Sequence, residues 1–212
     1  VGGLLLDPIP AEGHLTDNNI PNDLKTVWSN LRPGAKRISV FCYPGAPLKK
    51  WLENLGSLGE EVDILLAHGH AEQLNLYGEQ PISLPRNLQL ISMPFVSQDE
   101  YDWVLSQCDF NIVRGEDSFV RAQLAGKPFI WHIYPQEDRA HEVKLAAFLD
   151  LYLEEASQEL RLATIAAMTW AMPSKWFDSL EIWNAHAKHW RTYLLEKQAD
   201  GGLPARLIHF VT

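Results

Sequence analysis

The residues from Asp109 to Ala122, Asp-Phe-Asn-Ile-Val-Arg-Gly-Glu-Asp-Ser-Phe-Val-Arg-Ala, concentrate the chemistry of this chain. An apolar-rich run ends in Arg114 and Gly115. Glu116, Asp117 and Ser118 then open a helix-forming stretch. The pattern predicts a strand, a tight turn and a helix N-terminus. The first N–H groups of a helix lack internal partners and carry partial positive charge, so they bind anions. A strand ending in Arg114 delivers a guanidinium to the same place, and its planar fork matches phosphate oxygens. Glu116 and Asp117 repel phosphate but accept from sugar hydroxyls. Phosphate donors beside hydroxyl acceptors suggest a nucleotide sugar. Helix capping is the competing account. Asp and Ser at a helix start stabilise it by roughly 1 kcal/mol, and Glu116 lies within reach of Arg114 or Arg121 for an ion pair.

A second cluster weighs against capping alone. Tyr134-Pro135-Gln136-Glu137-Asp138 follows the next predicted strand and opens another helical stretch. Two adjacent strand–helix junctions crowded with polar groups exceed what capping requires, which adds Tyr134 and Gln136 to the binding candidates. Phe95 and Gln98 sit in Met93-Pro94-Phe95-Val96-Ser97-Gln98-Asp99. An aromatic in such a loop stacks a base or folds back onto the sheet, and an amide beside it reads a base edge. Tyr43 presents the same two alternatives. His68 and His70 flank a glycine but lack a carboxylate or cysteine at metal-ligand spacing. His186 and His189 are neighbours on a helix, and Trp183 and Trp190 beside them indicate packing. A Gly-rich phosphate loop and a G-x-G-x-x-G fingerprint are both absent. No nucleophile–His–carboxylate triad follows from spacing.

These residues need a scaffold. Apolar runs at 37–43, 62–67, 88–93, 110–113 and 128–133 read as strands. Helical periodicity appears at 21–31, 48–55, 99–108 and 118–125. Strands alternating with helices predict an α/β domain with a parallel sheet. Ligands bind such sheets beyond the carboxyl ends of the strands, where Tyr43, His68, Phe95, Arg114 and Tyr134 all fall. The remainder reads as helices at 137–152, 155–171 and 176–198, with Pro173 separating the last two. The expected organisation is a linker or interdomain segment at 1–20, a Rossmann-like domain at 21–172, and a C-terminal helical part at 173–212.

The bulk properties narrow the partners. The chain has 212 residues, 46% of them hydrophobic, with a net charge of −9. That composition supports a full core and disfavours nucleic-acid backbone as a ligand. The two cysteines have no metal spacing and suggest no disulfide framework, which points to a reducing cytoplasm. No run is long enough to span a membrane. The opening Val1-Gly2-Gly3-Leu4 lacks a starting methionine, so a longer natural protein is expected.

With these residues in view, the chain resembles the EarP family, the bacterial arginine rhamnosyltransferases that modify elongation factor P. The resemblance rests on Pro94-Phe95-Val96-x-Gln98-Asp99, on Arg114-Gly115-Glu116-Asp117-Ser118-Phe119-Val120-Arg121-Ala122-Gln123, and on Trp131-His132-Ile133-Tyr134-Pro135-Gln136-Glu137. Weaker similarity runs through Ser39-Val40-Phe41-Cys42-Tyr43 and the C-terminal helices. The resemblance implies a GT-B glycosyltransferase of two facing Rossmann-like domains, of which this chain matches the carboxyl-terminal, dTDP-β-L-rhamnose-binding half. It implies inversion at the anomeric carbon, no metal or other cofactor, and elongation factor P as acceptor. Phe95 would stack the thymine and Gln98 would contact its edge. Tyr43 and Tyr134 would contact the nucleotide. Arg114 and the backbone at Asp117 and Ser118 would hold the diphosphate. Glu116 would accept from sugar hydroxyls, and Asp117 would order the loop. The family's catalytic aspartates belong to an Asn-Phe-Gly-Asp-type motif that this sequence lacks, so no catalytic residue is assigned. An epimerase or reductase would need a Gly-rich first turn and a Tyr-x-x-x-Lys pair, neither of which is evident. A non-catalytic nucleotide- or phosphate-binding α/β module remains the alternative.

Overall fold

The computed structural model describes residues 20–73, 84–170 and 177–198. A 3-10 turn at Asn22–Leu24 leads into α1, Lys25–Ser29. Strands and helices then alternate: β1 Lys36–Val40, α2 Leu48–Gly56, β2 Val62–Leu66, α3 His70–Gln73, β3 Leu88–Ser92, α4 Gln98–Gln107, β4 Phe110–Arg114, α5 Asp117–Ala125 and β5 Phe129–His132. Helices α6 Ala140–Tyr152, α7 Gln158–Met168 and α8 Leu180–Gln198 follow.

The five strands form one parallel sheet in the order β3-β2-β1-β4-β5. The chain winds outward from β1 to β3, then returns to lay β4 on the other side of β1. That reversal opens a crevice at the carboxyl ends of β1 and β4. All five residues of β2 are buried, as expected for a central strand covered on both faces. Ile38, Val40, Ile64 and Leu66 enter the larger core with Trp51 and Leu52 of α2, while Leu65 meets Val27 of α1 and Trp103 and Val104 of α4 in a smaller one. The β1–β4 register carries one buried polar pair. Ser39 Oγ donates to Asn111 Oδ1 at 2.5 Å, and Asn111 Nδ2 donates to the Leu105 carbonyl at 3.0 Å. A one-residue slip would strand both groups in the core.

Helix α8 lies on this domain. Trp183 meets Phe110 edge-on at 5.4 Å and donates its indole N–H to Tyr152 Oη, and Trp190 donates to Gln123 Oε1 at 2.9 Å. His186 packs on Tyr152 and bonds its carbonyl, which accounts for the His and Trp cluster as packing.

Several boundaries differ from expectation. The first strand stops at Val40 rather than at residue 43. Phe41 N–H still pairs with the Ile112 carbonyl at 2.8 Å, but the next two N–H groups turn to side chains. The helix expected from residue 137 starts at Ala140, because Arg139 adopts a left-handed backbone (φ 59°) that closes a turn on Gln136 first. Gln136 therefore lies in a loop, not at a helix start. Ser157 caps α7, so that helix begins at Gln158. The short α3 was not anticipated. Residues 1–19, and Pro173 with residues 171–176, lie outside the described residues.

Candidate functional site

The crevice between β1 and β4 opens into a cavity of about 500 Å3 at the carboxyl edge of the sheet. Phe41, His68, Phe95, Gln98, Arg114 and Ser118 contribute to its lining. Two helix N-termini face it. The first, α4, is closed by a reciprocal capping box in which Ser97 Oγ accepts from Glu100 N–H and Glu100 Oε2 accepts from Ser97 N–H. The second, α5, has Glu116 in the N-cap position and no side-chain cap. The capping account of Asp117 and Ser118 is therefore not what the structure shows. The Asp117 carboxylate accepts instead from Gln98 Nε2 at 3.0 Å and Arg121 Nε at 2.9 Å. Arg121 is itself bound to Asp102 at 2.5 Å, so α4 and α5 are riveted side by side with their N-termini at one cavity.

Arg114 ends β4 at the crevice. Its guanidinium lies 4.1 Å from the Phe41 ring centre and 5.0 Å from that of Tyr43, and Nη1 donates to the Cys42 carbonyl at 3.4 Å. Aromatic faces hold a cation without neutralising its charge. Gly115 then turns the chain with φ +65°, and a Cβ there would stand 3.3 Å from Tyr43 Oη. Trp131 Nε1 donates to the Gly115 carbonyl at 2.7 Å and pins the turn from β5.

The other expected residues spread along the same rim. Phe95 is 81% exposed and meets the His68 ring edge-on at 6.3 Å. It is not folded into the core. Tyr134 is exposed and packs edge-on against Tyr43 at 5.3 Å, on the far side of Arg114 from Phe95. Glu116 pairs with Lys144 of α6 at 3.3 Å rather than with either arginine. Gln136 is exposed, and its backbone N–H donates to His141 Nδ1.

Sequence reasoning missed Phe41, Lys144 and the roles of two histidines. Cys42 N–H donates to His70 Nε2 at 2.9 Å, and Tyr43 N–H donates to His132 Nδ1 at 3.0 Å. Their only sequence signal is position, since each falls just at or beyond a strand's carboxyl end. Burial, and then the Arg114 charge, hold both imidazoles below the usual histidine range. His186 is lowered as well, mainly by burial. A lowered folded-state pKa stabilises the fold above the unfolded value of about 6.5, and that contribution fades as pH falls below it. Melting temperature should therefore decline between about pH 6.5 and pH 5, before carboxylates titrate. A flat profile across that window, followed by differential scanning calorimetry, would contradict the neutral-acceptor geometry. Among the described residues no three His, Cys, Asp or Glu side chains converge as a metal site, and no helix is long and apolar enough to cross a membrane.

The parallel sheet with reversed strand order defines a Rossmann-like α/β domain, and the exposed aromatic, the arginine and the uncapped helix start on one rim make its candidate ligand site. Over residues 2–212 the chain matches the family described as Elongation-Factor P (EF-P) rhamnosyltransferase EarP, and it belongs to that family. A Pseudomonas putida protein-arginine rhamnosyltransferase is 37% identical over 201 residues, covering 88% of this chain and 53% of the relative. One from Shewanella oneidensis is 42% identical over 136 residues, covering 59% and 33%. The chain thus spans about half the length of the Pseudomonas relative. A solved structure concerned with EarP-mediated arginine glycosylation of translation elongation factor EF-P superposes with a TM-score of 0.72 at 34% identity. It covers 89% of this chain and 64% of that one.

Proposed function

We propose that this chain is the donor-binding, carboxyl-terminal part of an inverting GT-B glycosyltransferase. The donor is dTDP-β-L-rhamnose, and the acceptor is an arginine of elongation factor P in the cytoplasm. The observation that carries the reading is Arg114, seated on Phe41 and Tyr43 beside the uncapped start of α5. Family membership supports the sugar and the acceptor.

Phe95 stacks the thymine, and Gln98, with one amide N–H committed to Asp117, meets the base edge. Tyr43 and Tyr134, packed edge-on against each other, contact the nucleotide. Arg114 and the N–H groups at Asp117 and Ser118 bind the diphosphate, with Gln136 on the neighbouring loop. Glu116, oriented by Lys144, accepts from sugar hydroxyls. A guanidinium and a helix N-terminus together offset diphosphate charge as it builds on the leaving group, so the transfer runs without a metal. By the family resemblance the general base belongs to a facing domain, and Glu116 and Asp117 are here paired with Lys144 and Arg121.

Phe95→Ala should weaken dTDP binding by about 1–3 kcal/mol, the range for a stacked base. It should leave the melting temperature unchanged, because the ring is exposed. An early-melting variant that binds normally would remove Phe95 from the site. The function itself is tested by incubating the chain, and a longer protein that includes a facing domain, with dTDP-rhamnose and elongation factor P in the presence of EDTA. Intact mass should rise by one deoxyhexose only with the longer protein. Transfer by the chain alone, lost in Glu116→Gln, would refute this division of labour.

A further inference from the structure

The segment Phe41-Cys42-Tyr43 carries the seat of Arg114, yet it leaves the sheet ladder after the Phe41 N–H. Three side chains from three other elements hold it. His70 opens α3 and accepts from Cys42 N–H, and His132 ends β5 and accepts from Tyr43 N–H. From β4, Arg114 covers both rings and touches the Cys42 carbonyl. Each imidazole is fixed by packing. His70 sits 5.6 Å from the Phe41 ring and is 1% exposed. His132 lies between Tyr43 at 5.6 Å and Trp170 at 5.5 Å. Trp170 reaches that place with a left-handed backbone, φ 57°.

We propose that His70 and His132 are positioning residues of this site. As neutral acceptors they hold the 41–43 segment under the Arg114 guanidinium, and so set the affinity for a nucleoside diphosphate. The proposal rests on the donor-site reading above. An accepting ring nitrogen carries no proton, so the geometry also fixes the tautomers: His70 bears its proton on Nδ1 and His132 on Nε2. Protonating either ring turns the acceptor into a donor facing a donor, which releases the segment. The charged or titratable groups around the rings are Arg114, the other imidazole, the Cys42 thiol and Tyr43, with the Tyr101 phenol of α4 behind Phe41. Among the described residues no carboxylate is paired with either ring. Burial and the Arg114 charge therefore both oppose protonation, with no such carboxylate to offset them.

The test combines NMR with dTDP titration. Imidazole 15N shifts of the wild-type protein should report the two opposite tautomers, and the Cys42 and Tyr43 amide protons should exchange slowly. His70→Ala and His132→Ala should each weaken dTDP binding about tenfold, as a lost acceptor predicts, and free the matching amide. Gln at position 70 and Asn at position 132 restore an acceptor near Nε2 and Nδ1 respectively. H70Q and H132N should therefore recover both affinity and amide protection. The dTDP terminal phosphate also titrates near pH 6, so the pH profile is read as a difference. Wild type should lose affinity on acidification more steeply than the H70Q/H132N double variant, which keeps both acceptors but has neither imidazole. Folded alanine variants with unchanged affinity would overturn the proposal. So would the opposite tautomers, or wild-type binding that tightens in acid relative to the acceptor variants. Protected amides in a protein that does not bind dTDP would instead remove the donor-site reading, and the positioning role with it.

Discussion

Replacing Arg114 with alanine is expected to weaken dTDP binding tenfold to more than a hundredfold, about 1.5–3 kcal/mol, the range for a charge-assisted contact. The side chain stands at the carboxyl end of β4 in the crevice, its charge resting on two aromatic faces and one carbonyl. None of these partners is an anion, so the guanidinium keeps its full charge for a ligand. Only a modest loss of melting temperature should follow, since the contacts it gives up are two cation–aromatic contacts and a long hydrogen bond. Arg114→Lys should recover part of the affinity, because an ammonium restores charge but not the planar fork. Calorimetric titration would settle the matter. Unchanged affinity in folded Arg114→Ala would take the arginine out of the site.

Arg121→Leu should be the most destabilising of the substitutions considered, by about 3–5 kcal/mol, because it leaves a buried carboxylate without its cation. The Arg121 and Asp102 side chains are 8% and 11% exposed and meet at 2.5 Å. Burial already raises the Asp102 pKa, against the pull of Arg121. One Asp102 oxygen also has no partner, so little else compensates the charge. The double variant Arg121→Leu/Asp102→Leu should regain much of the loss, since it removes both charges together. Urea denaturation of the two single variants and the double variant measures this coupling. Additive losses, or an Arg121→Leu variant as stable as wild type, would show that the pair is not the rivet between α4 and α5. Binding should weaken with stability here, because Arg121 also holds Asp117, which in turn holds Gln98.

Much of the scaffold was legible because its signals are local. The apolar runs at β2 and β4 are short, β-branched or leucine-rich, and bounded by breakers, so a parallel sheet and its chemical rim followed directly. Phe95 was open to two accounts, and its exposure beside Pro94 decides for the loop that projects. What escaped the sequence was pairing at long range. Cys42 and His70 are 28 residues apart, and Tyr43 and His132 are 89 apart. Asp102 and Arg121 sit on different helices, 19 residues apart. No periodicity encodes such partners, since each depends on how neighbouring elements align once packed. The late start of α6 escaped for a different reason: a single left-handed residue, Arg139, interrupts a stretch whose composition favours helix.

The strand order also bears on how the molecule assembles. Strands β1, β2 and β3 pair with sequence neighbours, but β1 meets β4 only across 72 residues, the separation of Ser39 and Asn111. Closing so long a loop is entropically slow and gains little until both strands are in register. Any partly folded chain in which β1, β2 and β3 pair before β4 arrives leaves β1 as an open edge. The arginine and the tyrosine of the crevice come together only when that edge is covered. A nucleotide that needs both recognises the completed fold alone. By mass action it would draw late intermediates forward, without templating the early ones.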